Sequence, residues 1–352
     1  MSLTNKFRVI LAVGVLFFVA AYSFYTYTHP DVIRIPSDPR NADSVTFFAL
    51  GDQGTGGLTQ WRIAHAMEKV AEKYQALDFV VLLGDNFYSK DKLTINSPEW
   101  MSKFENVYTG KYLSGTPFYA VLGNHDHGKS DSEEEKANNT THQLGGLKEV
   151  QVEYSQKHMG SNRWHMPNRY YSADFGKAGD QPLLRVVFLD TNLGHEDMLK
   201  QADFIRQQFS EAAHAPIWRF VVGHHPIRTY GRHYGETGEF EEALLPVLQT
   251  SMVDVYMSGH DHNQQVIARN NEPYYLVSGG GGAKTYSIKQ RPKDLIYAQS
   301  ANGFLGMRVH SNEINITIYD TSGAVLASFV LNRSCHQDKT SCLKPNGQNK
   351  TS

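Results

Sequence analysis

Five times along this chain an apolar run of strand character gives way to a short glycine-led block of Asp, Asn or His. Val45 to Leu50 runs into Gly51-Asp52-Gln53-Gly54, Phe79 to Leu83 into Gly84-Asp85, and Phe118 to Leu122 into Gly123-Asn124-His125-Asp126. Phe220 to Val222 runs into Gly223-His224-His225-Pro226, and Val253 to Met257 leads shortly to Gly259-His260-Asp261-His262. A further run, Leu184 to Leu189, stops at Asp190. Short apolar runs bounded by turn residues read as buried strands. Helical patterns separate several of them, the clearest from about Leu58 to Tyr74 with Ile63, Met67, Val70 and Tyr74 on one face. Strands alternating with helices predict a parallel-rich α/β sheet, in which the polar residues just past the strands gather at one edge. From Tyr274 onward the pattern is β only, with Tyr274 to Ser278, Leu305 to His310, Ile314 to Tyr319 and Val325 to Leu331 predicted to form a second sheet closing the core.

The 352 residues carry no internal repeat or evident break, so the folded part reads as one large domain. A formal net charge of −2 gives no sign of a nucleic-acid surface. Lys6 and Arg8 precede an uncharged, mostly apolar run from Val9 to about Tyr27. That run suits an uncleaved single-pass anchor with its basic end inside, although Val19-Ala20-Ala21 also fits the end of a cleaved secretory signal. Either reading puts the folded part outside the cytoplasm. Residues 1–28 are thus expected to be a signal peptide or anchor and 29–43 a linker with Pro30, Pro36 and Pro39, followed by a domain over 44–333 and a polar tail over 334–352.

The two cysteines, Cys335 and Cys342, lie close together in that tail, so no thiol active site or zinc–cysteine cluster is available. In an oxidising compartment they are expected to pair. Sequons at Asn138, Asn139, Asn315, Asn332 and Asn349 are compatible with secretion and glycosylation. The polar stretch from Lys129 to Gly146 reads as a solvated surface loop.

An Asp after a strand is by itself a turn former or a helix cap, and a lone Tyr or His is a core or rim residue. The convergence carries the argument here: Asp52, Asp85 with Tyr88, Asn124, His224, His260 and His262 all fall beside strand ends. Carboxylates, a carboxamide and imidazoles without a thiolate suit hard or borderline cations, and a bridging carboxylate would hold two of them roughly 3.5 Å apart. A phenol ionises at neutral or acid pH only beside a strongly Lewis-acidic cation, for which iron(III) is the natural candidate.

Gly51-Asp52, Gly84-Asp85-Asn86-Phe87-Tyr88, Gly123-Asn124-His125-Asp126, Val221-Val222-Gly223-His224 and Gly259-His260-Asp261-His262 together resemble the five-block signature of purple acid phosphatases, in the calcineurin-like metallophosphoesterase superfamily. The resemblance runs from Val45 to Leu331 and is greatest to the small tartrate-resistant type 5 form, which Arg163-Trp164, Phe188-Leu189-Asp190-Thr191, Val277-Ser278-Gly279 and Gly303-Phe304 also resemble. It implies a four-layer α/β/β/α sandwich built on two mixed sheets. It implies iron(III) at Asp52, Asp85, Tyr88 and His262, with Asp85 bridging to a divalent ion (Fe, Zn or Mn) at Asn124, His224 and His260. His125 and His233 match two histidines that contact phosphate or protonate the leaving group. The implied activity is acid phosphatase: a hydroxide supplied by the metal pair attacks a small phosphate monoester in line, and the net positive charge of the pair draws the substrate. Asp126, Asp190 and Asp261 are expected to orient the site or make turns rather than bind metal.

The sequence departs from that form in three places. Thr191 to Asp197 leaves little room for the protease-sensitive loop that represses the mammalian enzyme, Arg232 stands where that form has an acidic residue, and Ser89-Lys90-Asp91 replaces a glycine-containing stretch. Two other readings stand beside the phosphatase: a related metallophosphodiesterase or nucleotidase lacking the phenolate, and a catalytically weak, membrane-tethered scaffold. No protein partner is readable.

Overall fold

A computed structural model describes residues 34–35, 44–89, 93–127, 147–210, 214–335 and 338–346. The expected signal or anchor, most of the linker, the 129–146 loop, Lys90-Asp91 and the sequons at Asn138, Asn139 and Asn349 lie outside them. In chain order the first strands are β1 (Arg34–Ile35), β2 (Ser44–Leu50), β3 (Phe79–Leu82), β4 (Phe118–Ala120), β5 (Trp164–His165), β6 (Tyr171–Ala178), β7 (Gln181–Phe188) and β8 (Trp218–Val222). They are followed by β9 (Val255–Ser258), β10 (Gln264–Ala268), β11 (Tyr274–Ser278), β12 (Leu295–Gln299), β13 (Gly303–His310), β14 (Glu313–Asp320), β15 (Val325–Asn332) and β16 (Leu343–Pro345). The helices are α1 (Leu58–Tyr74), α2 (Leu147–Gln156), α3 (His195–Ser210), α4 (Gly238–Thr250) and a single turn, α5 (Lys339–Cys342).

Two eight-stranded mixed sheets result. Sheet I has the order β16-β15-β14-β13-β2-β3-β4-β5 and sheet II the order β1-β6-β7-β8-β9-β11-β10-β12. This corrects the expected division of strands. The late strands β13, β14 and β15 do not form a separate closing sheet but extend the one begun by β2, to which β13 pairs antiparallel. Tyr274–Ser278 joins sheet II instead, pairing parallel with β9. Hydrophobic content along these strands is continuous, and sheet membership is set by pairing partners that periodicity does not encode.

The apolar runs are continuous because the strands are buried on both faces. In sheet II, Val186, Phe188, Phe220, Val222, Val255 and Met257 point into the cluster between the sheets. Their alternates Val187, Val221 and Tyr256 pack with Met198, Ile205 and Phe209 of α3 and Leu244 and Leu248 of α4 on the outer face. Helix α1 covers sheet I in the same way through Ile63, Met67 and Val70, which gives the α/β/β/α layering. Aromatic rings join the layers: Phe79 of sheet I stacks on Phe175 of sheet II at 3.8 Å, and Phe47 meets Phe220 edge-on at 6.3 Å. Cys335 and Cys342 form a disulfide with Cα atoms 5.6 Å apart, just before β16 adds to the edge of sheet I.

Candidate metal centre

The loops after β2, β3, β4, β8 and β9 converge at one end of the sandwich. Their backbone is shaped for close approach. Asp52, Asp85 and His260 have φ of 60°, 54° and 64°, in the left-handed region where Asp, Asn and His are the non-glycine residues most often found. Each follows a glycine. Gly84 itself has φ +91°, and a Cβ there would lie 2.5 Å from His224 Nδ1, while one at Gly123 would lie 2.3 Å from Asp85 Oδ1. These glycines let the carboxylate and the imidazole reach the same space.

All nine site residues expected from the sequence meet there. Asp52 is fully buried, and its Oδ1 lies 3.1 Å from His262 Nε2 and 3.3 Å from the Tyr88 hydroxyl. Asn124 Oδ1 lies 3.1 Å from both His224 Nε2 and His260 Nδ1, and those two nitrogens are 3.2 Å apart. Asp85 sits between the groups, 3.5 Å from His224 Nε2 and accepting the His125 backbone N–H at 2.9 Å. The His125 ring rests 4.5 Å from the Tyr88 ring, and the His233 ring 4.1 Å from that of His260. One histidine therefore stands beside each cluster.

The histidine tautomers are set by carbonyl oxygens. His224 Nδ1 donates to Leu83 O at 2.8 Å and His262 Nδ1 to Lys284 O at 2.8 Å, so each Nε2 lone pair faces the carboxylates. The three acids expected to orient the site do so. Asp126 accepts the backbone N–H groups of Gly123, Asn86 and Phe87 at 2.8, 3.0 and 3.1 Å, tying the second block to the third. Asp261 accepts the N–H of Arg232 at 2.9 Å and holds the Thr229 hydroxyl. Asp190 is gripped by His127 at 2.9 Å and Arg169 Nε at 2.9 Å; burial alone would raise its carboxyl, but these two partners outweigh it and hold it at about 2.

Electrostatically the site is under load. Burial pushes the Asp85 carboxyl up, His224 opposes this, and Asp52 adds to it. Burial, then Asp52 and Asp85, drive the Tyr88 phenol well above its ordinary range. Burial pulls His224 below the ordinary imidazole range and His260 well below it. Among the described residues neither Asp52 nor Asp85 has a Lys or Arg partner, and their oxygens and a His224 nitrogen lie within 4.8 Å of one another. Buried carboxylates and lone pairs converging without a Lys or Arg partner fit cations, which would bring the Asp85 and Tyr88 groups back down and hold the imidazole lone pairs free of protons.

His127, Arg169, His225 and Tyr286 were not singled out by the sequence reading. His225 stacks on Phe240 and faces His260, with its ring nitrogen 2.9 Å from the Thr191 hydroxyl. The doubled histidines at His224-His225, and the position of His127 two residues after His125, are the signals that could have found those two; Tyr286 left none.

A two-sheet sandwich with carboxylates and neutral imidazoles gathered at one edge defines the class of metal-dependent phosphoesterases. The chain belongs to the calcineurin-like phosphoesterase family, which it matches over residues 46–264, and purple acid phosphatases are among its relatives. It is similar to Purple acid phosphatase 7 of Arabidopsis thaliana, with 31% identity over 320 residues covering 86% of this chain and 91% of the relative. It is 29% identical over 320 residues to tartrate-resistant acid phosphatase type 5 of Homo sapiens, covering 82% and 92%. Among solved structures it matches "GAP50 the anchor in the inner membrane complex of Plasmodium" with a TM-score of 0.69 and 24% identity, covering 85% of this chain and 91% of that one. At that identity the likeness speaks for the fold.

Proposed function

We propose that this chain is a binuclear-metal acid phosphatase acting on phosphate monoesters. Asp52, Asp85, Tyr88 and His262 would hold iron(III), and Asp85, Asn124, His224 and His260 a divalent ion. The observation carrying this reading is the buried Asp85, with no Lys or Arg partner among the described residues, between two clusters, Asp52–Tyr88–His262 on one side and Asn124–His224–His260 on the other. Bound there, the cations supply Lewis acidity and a water acidic enough to attack at neutral pH. The chain's own part is to place and to exchange protons. His125 and His233 keep 25% and 20% of their side chains exposed, one beside each cluster, where an ester's oxygens would lie. Glu236 accepts from His233 Nδ1 at 2.7 Å and fixes that ring, leaving Nε2 to serve the leaving alcohol.

Full-length protein loaded with iron and zinc is expected to hydrolyse p-nitrophenyl phosphate. It is also expected to show a visible tyrosinate-to-iron charge-transfer band that Tyr88→Phe removes. Turnover without the band would favour a related phosphodiesterase or nucleotidase with a different metal pair, and absence of both overturns the proposal.

One observation favours a second reading. The fold matches a protein whose title calls it an anchor in a membrane complex, and the N-terminal run of this chain suits a tether. A metal-replete protein with no turnover on any phosphate ester would support that scaffold. Both readings place residues 44–333 outside the cytoplasm behind a 1–28 signal or anchor and a 29–43 linker, with the 334–352 tail beyond, and the Cys335–Cys342 disulfide fits an oxidising compartment.

A further inference from the structure

The rim of the site carries a stack. Tyr286 lies face to face with the His262 imidazole, ring centroids 4.0 Å apart and planes within 10°. The Arg232 guanidinium sits 4.6 Å over the same tyrosine ring. Backbone bonds hold the assembly: Tyr286 N–H donates to His262 O at 2.7 Å, Arg232 N–H donates to Asp261 at 2.9 Å, and the Lys289 ammonium caps Arg232 O. A guanidinium lying on an aromatic face keeps its N–H edge free for a bidentate acceptor.

Nothing among the described residues takes that edge. Arg232 is exposed, and no carboxylate pairs with its guanidinium. The acid three residues beyond His233, Glu236, is already bonded to that histidine. One stacked ring separates this unpaired cation from His262, and His233, its chain neighbour, faces His260.

We infer that Arg232, carried on Tyr286, selects phosphate esters that bear a second anionic group on the leaving-group side, a carboxylate or a further phosphoryl group. The inference rests on the phosphatase reading of the neighbouring site. The scissile phosphate occupies the clusters, and the second anion meets the guanidinium fork at the rim. A charge-assisted, two-pronged contact of this kind at an exposed position gives a preference of about tenfold.

The test is calorimetric binding of two phosphonates of matched length, 3-phosphonopropionate and propylphosphonate, to full-length protein loaded with iron and zinc. The wild type is expected to bind the carboxylate-bearing compound about tenfold tighter. Arg232→Gln is expected to shrink that gap to about twofold, and Arg232→Lys to keep an intermediate one. Equal affinities in the wild type, or a gap unchanged in Arg232→Gln, overturn the inference. Phosphonates are not hydrolysed, so the gap is read independently of catalysis. A gap without turnover of p-nitrophenyl phosphate sinks the phosphatase reading alone, and turnover without a gap sinks this one alone.

Discussion

Sheet I sends oxygen donors to the site and sheet II sends nitrogen donors. Asp52, Asp85, Tyr88 and Asn124 follow β2, β3 and β4, whereas His224, His260 and His262 follow β8 and β9. Each cluster draws from both sheets, since His262 meets Asp52 and Tyr88, and His224 and His260 meet Asn124. Neither sheet alone offers a complete set. The difference teaches that a cation held here would couple metal binding to the docking of the two sheets, a clasp across the seam as well as a reagent.

The largest effect expected from breaking this division is at Asp85, the oxygen donor placed between the clusters. Asp85→Ala should lower kcat/KM for p-nitrophenyl phosphate by about a thousandfold or more and lower the content of both metals, measured by elemental analysis. Asn124→Ala is the sharper companion and should lose only the divalent ion. Loss of one metal alone in Asp85→Ala would refute a bridging role. Next in size is metal removal. Stripping the cations with a chelator should lower stability by roughly 3 kcal/mol at free metal about a hundredfold above Kd, seen as a drop in Tm. An unchanged melting curve would show that the sheets dock without the clasp.

The smallest effect lies at the opposite end of sheet II. Asp254, just before β9, is half-buried and accepts the Arg219 N–H at 2.8 Å, and desolvation pushes its carboxyl from 3.8 up to about 6. A carboxyl whose pKa rises on folding favours the folded state below its unfolded value, and that contribution is lost as pH rises through about 6. Denaturant titrations should therefore show about 2–3 kcal/mol of stability lost between pH 4 and pH 7. Asp254→Asn keeps the acceptor and should flatten that stretch of the curve, with or without metal. If the variant keeps the wild-type slope, the pH dependence has another source.

Much of the site was legible because its donors sit two to six residues past apolar strands, a pattern independent of which sheet the strands enter. That independence also hid the topology: β2 and β8 read alike yet lie in different layers. Strand β6 was obscured by Asp174, whose charge is buried against Arg185 at 2.6 Å, and β10 by Gln264 and Gln265, which look like loop residues but are fully buried. Helix α1 was readable because one amphipathic face meets the core and the other meets water. Tyr286 was invisible because its role depends on a stacking partner 24 positions away, a distance no local pattern spans.

The left-handed turns at Asp52, Asp85 and His260 have a further consequence for how such a site can decay. A backbone of that shape admits few side chains: Val, Ile and Thr are sterically penalised, and the tolerated choices, glycine aside, are largely Asp, Asn and His, which are themselves metal ligands. The chain's geometry thus filters which substitutions can accumulate, independently of selection for catalysis. A descendant that abandoned the chemistry but kept these loops would be expected to carry glycine or asparagine there rather than bulky hydrophobic residues.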